Sequence, residues 1–246
     1  MILENKNPSL KHTVISIYFA VLENIIFLVE NQFYYSLVFC NYMFELLNDH
    51  INTVTNKILS LKIKLYRRDV TEILIVRKGF NLQRELELIG KMHTQLFDLV
   101  HTARSLFQFQ ILTVIVTVFV TQVSLCFRII SYFRKNQLDL PMEFFYVEGS
   151  RICLSVGSFW LLCYISGSVV CQCNMGGELV KILTSKHHLG IAMENQIEIL
   201  TFQFKREKLR LSLCGLFDLS WGTAFDMVSV SVMYLLLLLQ LDYKNL

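Results

Sequence analysis

Residue types that could do chemistry are sparse in this chain. Cys171 and Cys173 form a Cys-x-Cys pair of the kind that can hold a metal ion. Cysteines in apolar runs also serve as small packing side chains, and that is the plainer reading here. Cys40, Cys126, Cys153, Cys163 and Cys214 complete an odd count of seven, which argues against a disulfide framework. His187 and His188 are adjacent but lie outside any His-Glu-x-x-His context, and they read as part of a solvated turn. There is no phosphate-binding glycine loop, no Gly-x-Ser-x-Gly elbow and no dinucleotide fingerprint. The pattern points away from an enzyme and calls for no cofactor and no metal. No alternation of arginine with aromatics suggests nucleic acid as a partner.

The informative polar residues sit inside apolar stretches. Glu23 and Glu30 are seven apart and share one stripe of a helix. Carboxylates facing lipid are costly, so both should face protein or a watered cavity. One reading is a hydrogen-bonded contact between helices; the other is a ligand or ion cavity. Near the C-terminus, Gly222, Asp226, Ser229, Met233, Leu237 and Gln240 fall on one helical face, opposite valine, leucine and tyrosine. Small and polar residues around one large aliphatic residue suit a pore lining, with Leu237 as a hydrophobic constriction that gates by dewetting. The same stripe would also suit a helix–helix interface.

The elements that must position these residues follow from composition. The chain has 246 residues, 54% hydrophobic and only 17% charged, where a soluble domain carries about 25% charge. Mean hydropathy is +0.47. With two prolines and ten glycines, the turn chemistry of an all-β chain is missing. The predicted fold class is all-α, a multi-pass transmembrane helical bundle with long cytoplasmic helix extensions and membrane lipid as its surround. Four segments are long and apolar enough to span. They are Thr13 to Leu47 (weakened by Glu23, Glu30 and Glu45), Leu106 to Phe133, Phe144 to Met175, and Leu213 to Leu241.

The chain accordingly divides into 1–48 (first span), 49–105 (cytoplasmic helices), 106–176 (second and third spans), 177–212 (a cytoplasmic helix) and 213–246 (the last span). Lys57 to Arg104 carries ten Lys or Arg residues and Lys181 to Arg210 carries six. Basic loops stay cytoplasmic, which puts both ends of the chain outside. Leu82, Leu86, Ile89, Met92, Leu96, Leu99, Ala103 and Phe107 recur at helical spacing. Gly79 and Asn81 suggest a break before this helix. Nothing interrupts it between Asn81 and Phe133, which predicts one rod roughly 80 Å long. Hydrocarbon is only about 30 Å thick, so the rod should project into the cytoplasm.

The last segment, LTFQFKREKLRLSLCGLFDLSWGTAFDMVSVSVMYLLLLLQL, resembles the C-terminal end of insect gustatory receptors. That family carries a phenylalanine-rich stretch, a Cys-Gly-Leu-Phe-x-(Leu/Ile)-Asp-type stretch, then Thr-Tyr-x5-Gln-Phe in the last span. Cys214, Gly215, Leu216 and Phe217 match the first motif, and Tyr234 and Gln240 carry the core of the second. Met233 replaces the threonine and Leu241 the phenylalanine. MHTQLFDLVHTARSLFQFQIL and FELLNDHIN are similar to the family's approach to its fifth span and the end of its fourth.

The resemblance implies a ligand-gated cation channel for taste at the plasma membrane, with its C-terminus outside. It implies a homo- or hetero-tetramer, a small-molecule tastant, and cytoplasmic helices anchoring subunit to subunit. The four spans would be the family's fourth to seventh, in an N-terminally truncated member. Gln240 and Leu237 would line the pore, with Met233, Ser229 and Asp226 along the same face. The family's pocket lies among the outer halves of its first six spans. Its wall here would include Tyr18, Gln122, Arg151 and Trp160, although Arg151 also reads as an interfacial anchor. The alternative is a nonconducting membrane scaffold or a degenerate receptor fragment.

Overall fold

Long apolar stripes without helix breakers should give long helices, and they do. The computed structural model describes residues 10–66, 72–134, 142–184 and 191–244. Along the chain these are α1 (Leu10–Tyr66), α2 (Glu72–Arg134), α3 (Met142–Thr184), α4 (Ile191–Arg206), β1 (Ser212–Leu213), β2 (Phe217–Asp218) and α5 (Trp221–Lys244). The fold is all-α apart from the small antiparallel hairpin β1–β2.

The first three helices have 57, 63 and 43 residues, roughly 85, 95 and 65 Å at 1.5 Å per residue. Each is far longer than the hydrocarbon layer. Three helices, within Arg77–Ser131, Ile152–Leu183 and Trp221–Asp242, are long and apolar enough to cross a membrane among the described residues. The expected span in α1 is not one of them. Its side chains before Ile17, and that of Glu23, lie outside the described residues.

The core is organised by α1. Phe33, Leu37, Cys40, Phe44, Leu47, Ile51, Val54 and Ile58 are all buried, and their spacing alternates four and three. That average of about 3.5 is the repeat of a coiled-coil seam. Helix α2 packs Leu82, Leu86, Ile89, Leu96, Val100 and Ile111 into the same core, and α3 adds Phe159, Leu162, Val169 and Val180. Polar links fix the register of α1 on α3. Asn48 Nδ2 donates to Gln172 O at 2.8 Å, and Ser168 Oγ donates to Asn41 Oδ1 at 2.9 Å.

Three boundaries differ from the sequence reading. Helix α2 runs straight through Gly79, so the expected break there is absent. A methyl group at Gly79 would meet nothing within 4 Å, and one helical glycine costs only about 1 kcal/mol, which the packing of the long helix outweighs. Helix α3 continues past Met175 to Thr184. The last span does not begin at Leu213: residues 212–218 form the hairpin and the helix starts at Trp221.

Gly176 explains how α4 docks. A Cβ there would lie 2.6 Å from Phe204 Cε1 and 3.1 Å from Asn48 Oδ1, whereas at Gly177 the nearest atom would be 3.5 Å away. Gly176→Ala is therefore expected to lose about 1–3 kcal/mol through overpacking. Gly177→Ala should be neutral or slightly stabilising, because alanine favours helix. Thermal unfolding of the two variants in detergent reads the difference; equal melting temperatures would rule out this account of the contact.

Candidate functional site

The segment that sets up the last helix is extended. Leu209, Leu211 and Leu213 are buried while Lys208 and Arg210 are exposed, the alternation of a strand. Asn174 of α3 pins it: Leu209 N donates to Asn174 Oδ1 at 3.1 Å, and Asn174 Nδ2 donates to Leu209 O at 3.4 Å. Leu213 then pairs with Phe217 and Ser212 with Asp218. Cys214 and Gly215 have φ of 49° and 72°, and Leu216 N donates to Leu213 O at 2.9 Å. Two consecutive left-handed residues are what a tight hairpin turn requires, and glycine supplies one without strain. The Cys-Gly-Leu-Phe motif is therefore a turn. Ser220 caps α5, its Oγ accepting from Thr223 N at 3.4 Å, and Thr223 Oγ1 donates to Asp218 O.

Helix α5 packs on α2 and α3 along one face. Ala224 and Ser231 are buried there, with Met227, Val228, Leu235 and Leu238 half-buried. Tyr234 meets Phe119 of α2 edge-on, with centroids 5.7 Å apart. At 100° per residue, Asp226, Ser229, Met233, Leu237 and Gln240 lie roughly 180° from this face. They and Gly222 are exposed, Met233 at 60% and Leu237 at 49%. Nothing in this chain covers the stripe among the described residues.

A cavity of 570 Å³ opens between α1, α2 and α3. Glu30, Thr117, Thr121, Ser155 and Ser158 face it from three helices. Tyr18, Gln122 and Trp160 are not in its wall. Tyr18 is exposed on α1. Gln122 lines a separate cleft of 60 Å³ between α2 and α5 with Ser231 and Leu235. Trp160 meets Trp221 and Phe225 edge-to-face, with centroids 5.6 and 5.3 Å apart. The side chain of Arg151 lies outside the described residues, as do His187 and His188. Cys171 is exposed and Cys173 buried, so the pair splits between two faces of α3.

The family profile described as 7tm chemosensory receptor matches residues 3–245. The chain belongs to the 7tm chemosensory receptor family. Among relatives from Drosophila melanogaster, gustatory receptor 58b is 21% identical over 172 residues, which is 69% of this chain and 41% of that protein. Gustatory receptor for bitter taste 22e is 25% identical over 162 residues, 65% of this chain and 41% of its own length. Gustatory receptor 22f is 28% identical over 103 residues, 41% of this chain and 26% of that protein. The chain thus spans less than half the length of the curated relatives it matches.

This receptor also holds a buried polar cluster that sequence reasoning missed. His93 and Glu207 are 1% and 7% exposed. His93 Nδ1 lies 3.1 Å from Glu207 Oε2, and Thr94 Oγ1 donates to the same carboxylate at 3.3 Å. Gln203 Nε2 donates to Thr94 Oγ1 at 2.5 Å and to Gly90 O at 2.9 Å. On the far side of the ring, His93 Nε2 is 3.7 Å from Cys173 Sγ. Phe204 stacks on the imidazole with centroids 4.0 Å apart. The network assigns the Nδ1–H tautomer, which donates to Glu207. His93 falls on the stripe of Ile89, Leu96 and Val100, and that placement was the signal available in the sequence.

His93 precedes the apolar stretch that begins at Leu106. Burial pushes its pKa below the ordinary 6.5, with the Glu207 carboxylate opposing the shift. The unfolded chain therefore binds the proton first. Stability should rise with pH through this region and be lost as pH falls below 6.5. Melting temperature against pH should show this slope in the native receptor. His93→Gln should lower stability at neutral pH and flatten the slope; an unchanged slope would remove His93 as its source.

Proposed function

We propose that this receptor is a gustatory receptor subunit that assembles, with copies of itself or related subunits, into a ligand-gated cation channel at the plasma membrane. A single observation carries the reading. The polar and small stripe of α5 lies opposite the face packed on α2 and α3, where a helix around a central axis would present it. Asp226 and Ser229 offer oxygen atoms to hydrated cations, and Gln240 offers an amide at the other end. Leu237 supplies an apolar constriction between them, which closes by dewetting when narrow. Four such helices around an axis give the tetramer.

The agonist is a small-molecule tastant, in keeping with relatives named for taste. The basic segments around α2 and α4 favour a cytoplasmic position for the hairpin end and an outside C-terminus. The uncovered stripe would also suit an interface in a nonconducting scaffold, which carries no current.

Cells expressing the chain, alone and with other receptor subunits, should pass ligand-evoked cation current. Leu237→Ser should raise the ligand-independent current several-fold, and Gln240→Arg should cut cation conductance by about tenfold. Silence from every assembly with surface expression intact supports the scaffold instead. An epitope placed after Leu246 should be labelled on intact cells. Labelling only after permeabilisation would invert the orientation.

A further inference from the structure

Glu30 faces a largely apolar cavity, where a carboxylate needs a partner. It faces the cavity between α1, α2 and α3, beside Thr117 and Thr121 from the apolar stretch of α2. Unsatisfied charge in apolar surroundings is costly. Among the described residues, the ion pairs join Lys57 to Glu85, Lys91 to Glu87, His93 to Glu207, Lys181 to Glu178 and Arg206 to Glu207. None of them involves Glu30. Ser158 is within hydrogen-bonding reach of the Glu30 carboxylate, but its hydroxyl also donates to Ser155 O at 3.1 Å. One proton cannot serve both acceptors, so the carboxylate keeps open acceptor capacity toward the cavity.

The space is built for a guest. A Cβ at Gly157 would meet nothing within 4 Å, so this glycine leaves the α3 wall open. The volume of 570 Å³ falls in the range of about 300–1,000 Å³ typical of small-molecule sites. Phe27, Val118 and Leu161 supply apolar wall. A neutral polyol could donate hydrogen bonds to the carboxylate but would leave its charge without a counter-charge. An anion would be repelled.

We propose that this cavity binds an organic cation, an ammonium group on an apolar body, with Glu30 as its counter-charge. The ammonium sits between Glu30 and the hydroxyls of Thr121 and Ser158, and the body fills the space beside Gly157. Phe27 adds the attraction of an aromatic face for a cation. The assignment rests on the receptor reading for its role in signalling. It is tested by binding, so a silent channel leaves it standing.

The experiment uses the full chain in lipid nanodiscs, with empty nanodiscs as the subtraction. The probes are benzyltrimethylammonium and its uncharged carbon isostere, neopentylbenzene. The native receptor should prefer the cation at least about tenfold, the size expected for a desolvated charge pair. Glu30→Gln should erase the preference while keeping isostere binding. Glu45→Gln, an exposed glutamate of α1 outside the cavity, should preserve it. Gly157→Leu should weaken both probes by filling the space. Equal binding of the cation by the native receptor and Glu30→Gln would overturn the proposal.

Discussion

A buried carboxylate is tolerable only with donors around it, and Glu207 draws on His93, Thr94 and the guanidinium of Arg206 in a way that organises the chain around it. Its partners His93 and Thr94 come from α2, and the ring behind them touches Cys173 of α3. Phe204 of α4 covers the imidazole. Three helices are thus tied to the residue at which α4 gives way to extended chain. Removing one member of such a network costs more than its own bond, because the remaining buried groups stay unpaired.

From that tie the geometry passes outward in short steps. Asn174 holds Leu209 through two backbone bonds. Leu219 N donates to Leu211 O at 2.8 Å, which closes the hairpin across its base. Ser220 then starts α5. Few residues lie between Glu207 and the first turn of the last helix, and most are buried or hydrogen-bonded. The small hairpin is the stretch of chain that joins the polar cluster to the helix bearing Asp226, Leu237 and Gln240.

Much of this was legible from spacing. The rod of α2 and the exposed face of α5 follow from three- and four-residue periodicity, which is strong in long helices without proline. The chemosensory resemblance in Cys214-Gly215-Leu216-Phe217 was legible too, but its shape was not. That run is apolar enough to read as the start of a span, and two left-handed residues in succession leave no mark on hydropathy. The break expected at Gly79 failed for a similar reason: one glycine signals a helix end only when no packing carries the helix past it. His93 was hidden by its own placement, since a histidine on an apolar stripe looks like a gap in the pattern. Glu30 was visible, but the hydroxyls that share its cavity come from helices far along the chain. Long-range pairing of that kind lies beyond local pattern.

The register lock between α1 and α3 has a consequence in time. Asn48 finds its acceptors on Gln172, 124 residues further along the chain. At a synthesis rate of about 5–20 residues per second, Gln172 emerges roughly 6–25 s after Asn48. Through that interval the newly made α1 carries an amide and an apolar seam with no native partner on α3. Helix α2 arrives first and covers part of the seam, so the first two helices form a waiting hairpin that α3 later completes. The order of emergence from the ribosome thereby prescribes the order of assembly, and a pause in translation after α2 would prolong the interval in which this half-built bundle must be sheltered.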